Sequence, residues 1–170
     1  SRGGDGKMES TPLNPLIKEY VNLAFHGMRA GKEPINVEID LQLDDSIGEI
    51  PLVAEDFSRV ILNLCNNAFD AMQEKGIKNS ELKIKNYSPK LTVRTKAENG
   101  NVIVEIQDNG PGIPDEMKDK ILQPFFTTKK GTQGTGLGLS ITNDIVKAHG
   151  GDLKIDSQPG RTVFKIKLNG

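Results

Sequence analysis

Residues 54–73 of the chain, AEDFSRVILNLCNNAFDAMQ, carry the strongest secondary-structure signal in the sequence. Apolar residues recur there at intervals of three and four, which is the spacing of one face of an α-helix. The stripe consists of Phe57, Val60, Ile61, Leu64, Cys65, Ala68 and Met72. We therefore predict a long amphipathic helix from Ala54 to Gln73 that buries this stripe against the rest of the fold.

Three asparagines lie in the middle of this predicted helix, at Asn63, Asn66 and Asn67. Asn favours caps and turns over helix interiors, because its side chain competes for backbone hydrogen bonds. A local rule broken inside a strong element is where function is expected. Asn63 and Asn67 are four residues apart and share a face, and a carboxamide oxygen can ligate Mg²⁺. The alternative interpretation is a polar helix face in contact with solvent.

The sequence on both sides of this helix predicts alternating helices and strands. Strands joined largely through hairpins, with helices to cover one face, predict an α/β (α+β) two-layer sandwich. Loops are expected at 43–51, 76–89 and 127–136. Further helices are predicted at Asn14–Arg29, Pro114–Leu122 and Leu137–His149, and strands at Ile35–Leu41, Leu91–Ala97, Val102–Gln107, Leu153–Asp156 and Thr162–Leu168.

Length and composition limit the class of protein. A chain of 170 residues with 35% hydrophobic and 26% charged residues is typical of one globular domain. Residues 1–10 are Gly-rich and charged, so we assign them to a linker or cloning remnant and residues 11–170 to the domain. A single Cys excludes a disulfide framework. The net charge of -1 offers no electrostatic basis for binding nucleic acid or an anionic membrane.

The segment Asp108-Asn-Gly-Pro-Gly-Ile113 follows a predicted buried strand. A carboxylate at a strand end can accept a hydrogen bond from an exocyclic amine such as that of adenine, while the glycines let the backbone pass close by. The alternative is an ordinary turn, because Asp, Asn, Gly and Pro are all common turn residues.

A second glycine cluster, Gly134-Thr-Gly-Leu-Gly138, leads into a predicted helix. Free backbone N–H groups at such a junction can bind an anion, and the alternative is a flexible loop. The Walker pattern fails, because Leu137-Gly138 stands where Lys-Ser/Thr is required. The dinucleotide pattern fails too, because its third glycine is missing.

Taken together, the segments resemble the ATP-binding domain of sensor histidine kinases, within the GHKL ATPase/kinase superfamily (Bergerat fold). The resemblance covers residues 11–168. It implies a mixed sheet covered on one face by helices, with ATP bound beside a mobile lid. The matching motifs are Asn63–Ala71 (N box), Asp108–Gly112 (G1 box), Pro124–Lys129 (F box) and Gly134–Leu139 (G2 box).

The resemblance also implies a role for each matching residue. Asp108 would accept the adenine amine, Gly112 would let the base lie against the backbone, and Asn67 would ligate Mg²⁺, with Asn63 beside the phosphates. Backbone amides of the G2 box would wrap the triphosphate, and these residues are Gly134, Thr135, Gly136, Leu137, Gly138 and Leu139. Other candidate nucleotide contacts are Asp70, Gly110, Ile113, Phe125, Thr128 and Thr162, and Arg59 is a weaker candidate.

The expected lid runs from Asp115 to Gln133. Phe125 and Phe126 would anchor it by packing. Lys129 and Lys130 are candidate catalytic residues that could reach the phosphates, the alternative being a solvated loop. In the turn between the last two predicted strands, the family often has Gly-x-Gly-Thr. This sequence is one residue shorter there, so the phosphate role of that turn is open.

Position 63 bears on mechanism. Hydrolytic members of the superfamily have Glu four residues before the Mg²⁺ Asn, where it activates water. The residue here is Asn63, and a carboxamide is not a general base at neutral pH. The resemblance therefore implies transfer of the γ-phosphoryl group of Mg-ATP to a histidine rather than efficient hydrolysis. The alternatives are a GHKL-type ATPase or serine-kinase relative, and a degenerate nucleotide-binding module.

The phosphoacceptor of such kinases is a His followed by an acidic residue on a separate dimerisation domain. The chain has two histidines, His26 followed by Gly27 and His149 followed by Gly150. Neither matches, so we expect the acceptor on a domain outside this chain and no self-phosphorylation. The resemblance further implies a response regulator downstream in a two-component signal transduction system. It implies a cytoplasmic location for the domain, without direct membrane contact, whether or not the parent protein is membrane-anchored.

Overall fold

The computed structural model of the protein describes residues 7–123 and 138–169. Helices and strands alternate irregularly along this part of the chain. The elements are β1 (Glu9–Pro12), α1 (Leu13–Arg29), β2 (Glu38–Gln42), β3 (Glu49–Leu52), α2 (Ala54–Glu81), β4 (Lys90–Glu98), β5 (Asn101–Asp108), α3 (Asp115–Lys118), α4 (Gly138–Ala148), β6 (Asp152–Gln158) and β7 (Arg161–Asn169).

Five strands form one mixed sheet in the order β2-β4-β5-β7-β6. β2 and β4 are parallel, and the other neighbouring pairs are antiparallel. β1 and β3 form a separate antiparallel pair. The predicted mixed sheet is confirmed, and so are the β4–β5 and β6–β7 hairpins.

The core lies between this sheet and the long helices. Apolar residues alternate along the strands, as expected of a sheet with one covered face. They pack against the stripe on α2 and against α1, which contributes Ile17 and Val21 to the same cluster. The opposite face of the sheet carries a row of charged residues, in which Arg94 pairs with Glu105 and Glu105 with Lys165 across three strands. The protein is therefore a two-layer α/β sandwich, as predicted.

Two predictions about the first third of the chain are wrong. β1 includes Glu9 and Ser10, which the sequence analysis placed in a linker, and β3 lies partly in the predicted loop 43–51. Both strands have four residues, too few to produce a recognisable alternation of polar and apolar side chains. They pair with each other, with Glu9 opposite Leu52 and Pro12 opposite Glu49.

α2 is longer than predicted, because it continues through Gly76 to Glu81. The sequence predicts a loop from Gly76 onward. A Gly inside a helix is tolerated at about 1 kcal/mol relative to Ala, and no atom lies within 4 Å of the position of a Cβ at Gly76. The predicted loop 76–89 is therefore limited to residues 82–89. The predicted helix Pro114–Leu122 is shorter, since α3 is a single turn from Asp115 to Lys118.

α4 ends in a Schellman motif. The backbone N–H of Gly151 donates to the carbonyl of Val146 at 3.0 Å, and that of Gly150 to the carbonyl of Lys147 at 2.9 Å. Gly150 has a φ of +75°. Glycine is the usual residue at this left-handed position, because it has no Cβ to clash with the backbone.

α2 ends in the same motif with a different residue at its centre. The N–H of Ile84 donates to the carbonyl of Asn79 at 2.8 Å, and that of Lys83 to the carbonyl of Ser80 at 3.1 Å. Lys83 has a φ of +59°. It occupies the position that Gly150 occupies in α4, and its side chain makes the left-handed conformation less favourable.

The N-terminus of α2 is joined to the C-terminus of α4 through His149. Nε2 of His149 accepts a hydrogen bond from the backbone N–H of Val53 at 3.0 Å, so the ring proton is on Nδ1. Nδ1 donates to the carbonyl of Ile145 at 2.8 Å. The ring is 8% exposed and packs edge-on against Phe57. Both ring nitrogens are therefore occupied inside the protein.

Within residues 7–123 and 138–169, none of the helices combines the length and the apolar content that a membrane crossing requires.

Candidate functional site

A row of residues on α2 extends from the start of α4 to the loop that follows β5. Asn63, Asn67 and Ala71 are spaced by four and lie along one side of the helix. At 1.5 Å per residue the row is about 12 Å long. Its first member contacts the start of α4, and its last lies against the loop that follows β5.

Asn63 is half-buried and links α2 to the first turn of α4. Its Nδ2 lies 3.4 Å from the carbonyl oxygen of Gly138 and 3.3 Å from Oγ1 of Thr142, which is fully buried. These long hydrogen bonds orient the carboxamide so that its nitrogen faces α4. Asn63 therefore has a structural contact at the point where the chain returns from residues 124–137.

Asn67 and Asp70 lie farther along α2, and both are half-buried. Each interacts with other groups of the protein. The described part of the chain holds no group of three or more His, Cys, Asp or Glu placed to bind a metal ion. The carboxamide oxygen of Asn67 is of a ligand type that Mg²⁺ accepts.

Asp108 is the last residue of β5 and is 4% exposed. The backbone N–H of Gly110 donates to its Oδ1 at 2.8 Å. Across residues 7–123 and 138–169, Oδ2 receives no hydrogen bond. Burial raises the pKa of this carboxyl to about 6, opposed by the Gly110 hydrogen bond and the charge of Lys75. Since a buried polar atom is normally paired, Oδ2 is an acceptor that fits an amine donor from a ligand such as adenine.

The packing around the two glycines after Asp108 leaves no room for a side chain at either position. A Cβ on Gly110 would lie 2.9 Å from Oδ1 of Asp108 and 3.1 Å from Cβ of Ala71. Gly112 has a φ of +88°, and a Cβ there would lie 2.4 Å from the carbonyl oxygen of Gln158. The protein itself fills the space beside both glycines, which requires glycine at these positions, and the expected contact of Gly112 with a base stays a prediction.

The end of the 82–89 loop and the first residue of β4 support Asn109, the residue next to Asp108. Oδ1 of Asn109 accepts from the N–H of Lys90 at 2.9 Å and from the hydroxyl of Tyr87 at 3.4 Å, and its Nδ2 donates to the carbonyl of Ser88 at 2.8 Å. Nζ of Lys75 donates to the Asn109 carbonyl at 3.2 Å and lies 4.6 Å from the centre of the Tyr87 ring. Residues 87–90 therefore hold the start of this turn in place.

The other end of the turn is held by β6 and β7. The N–H of Ile113 donates to Oγ of Ser157 at 2.8 Å, and Ser157 Oγ lies 2.8 Å from Oγ1 of Thr162. Thr162 is opposite Asp108 in the register of β5 and β7. Two predicted site residues, Ile113 and Thr162, are thus brought close to Asp108, and the hydroxyl of Thr162 is engaged within the protein.

Several predicted site residues lie outside the described part of the chain. These are Phe125, Phe126, Thr128, Lys129, Lys130, Gly134, Thr135, Gly136 and Leu137. The expected lid is described only from Asp115 to Gln123. Gly138 and Leu139 form the beginning of α4, next to Asn63.

Three residues that shape the site were not predicted from the sequence: Ala71, Asn109 and Ser157. The spacing of four from Asn63 through Asn67 to Ala71 is a signal that would have identified Ala71. Asn109 and Ser157 act through contacts with residues far away in sequence, and no local pattern marks them.

The sequence matches one family model over residues 53–169, described as histidine kinase-, DNA gyrase B- and HSP90-like ATPase. This range contains α2, the Asp108 turn and all of β4 to β7.

Curated relatives are named sensor kinases. The chain is 40% identical over 141 residues to the sensor kinase CckA of Brucella abortus and 32% identical over 136 residues to the sensory histidine kinase/phosphatase NtrB of Salmonella typhimurium. Each alignment covers 79% of this chain. The chain spans only 15% of the length of that CckA and 38% of that NtrB.

Solved structures give the same result for the fold. The catalytic domain of histidine kinase ThkA superposes with a TM-score of 0.76 at 29% identity, covering 96% of this chain and 95% of that one. ThkA in complex with the response regulator TrrA superposes with a TM-score of 0.72 at 26% identity, covering 95% of this chain and 41% of that one.

Proposed function

This chain belongs to the histidine kinase-, DNA gyrase B- and HSP90-like ATPases and has the fold of a histidine kinase catalytic domain, and from that premise we propose how it works. It binds Mg-ATP and transfers the γ-phosphoryl group to a histidine on a separate dimerisation domain. The observation that carries the proposal is Asp108, a buried carboxylate with one oxygen held by Gly110 and the other without a partner in the described residues.

Asp108 recognises the adenine base through a hydrogen bond. Because the Gly110 N–H occupies Oδ1, Oδ2 faces the ligand as an acceptor and fits the exocyclic amine. A hydrogen bond to an ionised acceptor contributes more than one between neutral groups. The pKa near 6 leaves this carboxyl mostly ionised at neutral pH.

Replacing Asp108 with Asn tests this assignment. The Gly110 N–H would still require an acceptor, so the new side chain would place its oxygen there and its NH₂ group toward the adenine amine. Two donors would then face each other, and we expect Mg-ATP affinity measured by calorimetry to fall by at least about tenfold, or 1.4 kcal/mol. The control is Glu98→Gln, an exposed carboxyl at the opposite end of the same hairpin. Unchanged affinity in Asp108→Asn would contradict the proposal.

Asn67 supplies a protein ligand to the magnesium ion through its carboxamide oxygen, and the nucleotide phosphates and water supply the others. When bound, Mg-ATP provides the transferable phosphoryl group and the cation that neutralises it. Asn67→Ala should weaken the Mg²⁺ dependence of ATP binding, with less effect on binding without the metal. The exposed neighbour provides the control variant, Asn66→Ala.

Asn63 lies where a general base would be needed for hydrolysis. Its carboxamide nitrogen is directed to Gly138 and Thr142, and neither atom of a carboxamide removes a proton from water at neutral pH. We therefore expect slow turnover of Mg-ATP by the isolated chain. The ATPase alternative is not favoured, because the relatives are named sensor kinases. Rapid ATP hydrolysis by this chain would revive it.

The phosphoacceptor and the response regulator are partners outside the chain. His149 is buried with both ring nitrogens hydrogen-bonded, so it is not a phosphoacceptor. His26 is exposed on α1 and is followed by glycine rather than an acidic residue. Incubation with labelled ATP should leave the chain unlabelled. A cytoplasmic location, where ATP is available, belongs to the same proposal.

A further inference from the structure

A cleft of about 550 Å³ lies at the C-terminal end of α2, at the loop of residues 82–89. Cavities of this size hold small molecules in many proteins. Its polar lining includes Asn79, Lys83, Lys85 and Asn86, and its apolar lining includes Ile84 and Pro89. Asn63, Asn67 and Asp108 do not line it, so the cleft is separate from the proposed nucleotide site.

Four polar side chains of this cleft have no partner in the described protein. Lys83 and Lys85 form no ion pair with any residue in ranges 7–123 and 138–169. The carboxamides of Asn79 and Asn86 form no hydrogen bond within the same ranges. Two ammonium groups and two amides therefore border a cavity that has an apolar wall.

The backbone of the cleft holds one of these lysines at a position where glycine is favoured. Lys83 has a φ of +59° in a Schellman motif whose counterpart in α4 contains Gly150. A non-glycine residue in a left-handed conformation is an observed strain that points to a function for its side chain. The side chain at Lys83 brings a positive charge to the cleft.

We propose that this cleft binds a small organic anion, with Lys83 and Lys85 on its charged group and the apolar wall against its carbon skeleton. Lysine is a compact cation with three rotatable donors, which suits a phosphate or a carboxylate equally. The amides of Asn79 and Asn86 add neutral hydrogen bonds. Tyr87 lines the cleft and also contacts Asn109, so a bound anion would lie next to the support of the Asp108 turn.

The test uses nuclear magnetic resonance titration of the ¹⁵N-labelled chain with phenyl phosphate and with benzoate, and with phenol as the uncharged control. We expect saturable shifts of the amides of residues 79–87, with a dissociation constant of about 1 mM for at least one of the two anions. Whichever anion binds more tightly shows whether the cleft prefers a phosphate or a carboxylate. Phenol should produce no saturable shift at the same residues.

Variants that remove lysine charges distinguish binding in the cleft from a general attraction of anions to lysine. The double variant Lys83→Gln/Lys85→Gln should weaken binding at least tenfold. Lys78→Gln, which removes an exposed charge on the same end of α2 outside the lining, should leave binding unchanged. The shifts should persist in Asp108→Asn, because the cleft does not depend on the adenine site. Shifts that do not saturate by about 50 mM, or that are equal in the double variant, would overturn the proposal.

Discussion

The backbone N–H of Gly110 donates a hydrogen bond to Oδ1 of Asp108 and leaves Oδ2 as the only acceptor of that carboxylate without a partner in the described residues. The carboxylate is buried, so keeping it ionised destabilises the free domain. This destabilisation raises the pKa of Asp108 to about 6 in the native protein, compared with 3.8 for an Asp that is not buried.

Removing this charge should stabilise the ligand-free protein at neutral pH. The native pKa lies above the unfolded value, so the native state binds the proton more tightly, and stability is lost as pH rises through 6. Asp108→Asn should therefore be more stable than the wild type at pH 7.5, by up to about 3 kcal/mol, and the difference should vanish near pH 4. Urea unfolding at both pH values measures it.

The exposed carboxyl variant Glu98→Gln serves as its control and should change stability by less than about 0.5 kcal/mol at either pH. An Asp108→Asn protein that is less stable than the wild type at pH 7.5 would show that burial does not penalise the carboxylate.

Gly112 should be far less tolerant of a side chain than another glycine of nearly identical backbone conformation. Gly112 has a φ of +88° and Gly160 a φ of +86°. A Cβ at Gly112 would overlap the carbonyl of Gln158, whereas nothing lies within 4 Å at Gly160. Gly160→Ala should destabilise by about 1 kcal/mol through its positive φ alone, and Gly112→Ala by at least about 2 kcal/mol more. Equal effects in thermal unfolding would refute the packing explanation.

His149 should contribute strongly to stability. His149→Ala leaves the N–H of Val53 and the carbonyl of Ile145 without their side-chain partner and removes the ring that packs on Phe57. We expect a loss of about 2–4 kcal/mol in the free energy of unfolding. His26→Ala, at an exposed position, should remain within about 0.5 kcal/mol of the wild type. A small effect of His149→Ala would mean that α2 and α4 are held together by other contacts.

Lys83→Gly should stabilise the protein. Glycine adopts the left-handed conformation at this position without a Cβ clash, and the gain should be about 0.5–1 kcal/mol. Lys85→Gly, two residues along at a position without positive φ, should give no such gain. Chemical denaturation of both variants makes the comparison, and a destabilised Lys83→Gly would indicate that the lysine side chain supports the fold.

The sequence predicted the elements whose residues repeat with a clear period. The stripe from Phe57 to Met72 identified α2, and the alternation around Asn99-Gly100 identified the β4–β5 hairpin, because such patterns reflect burial of one face. β1 and β3 are too short for any period to emerge, and the end of α2 beyond Gly76 depends on a cap formed by non-glycine residues.

The sequence pointed to the residues of the candidate site, but it did not predict the contacts that hold them. Asp108 and Asn67 follow from motif resemblance, and their roles as ligands of adenine and Mg²⁺ stay predictions. The function of Gly112 could not be derived from its neighbours, because the atom that excludes a side chain belongs to Gln158 on another hairpin. Likewise, the support of Asn109 by residues 87–90 depends on chain segments that only the folded structure brings together.

The pairing of β1 with β3 gives the domain a mechanical property. The four residues of β1 pair with β3, and a single residue, Val53, separates β3 from α2. Tension applied ahead of Glu9 would be borne first by this short ribbon. From there it would pass along the backbone to α1, which begins directly after β1, and through β3 to the first turn of the helix that carries Asn63 and Asn67.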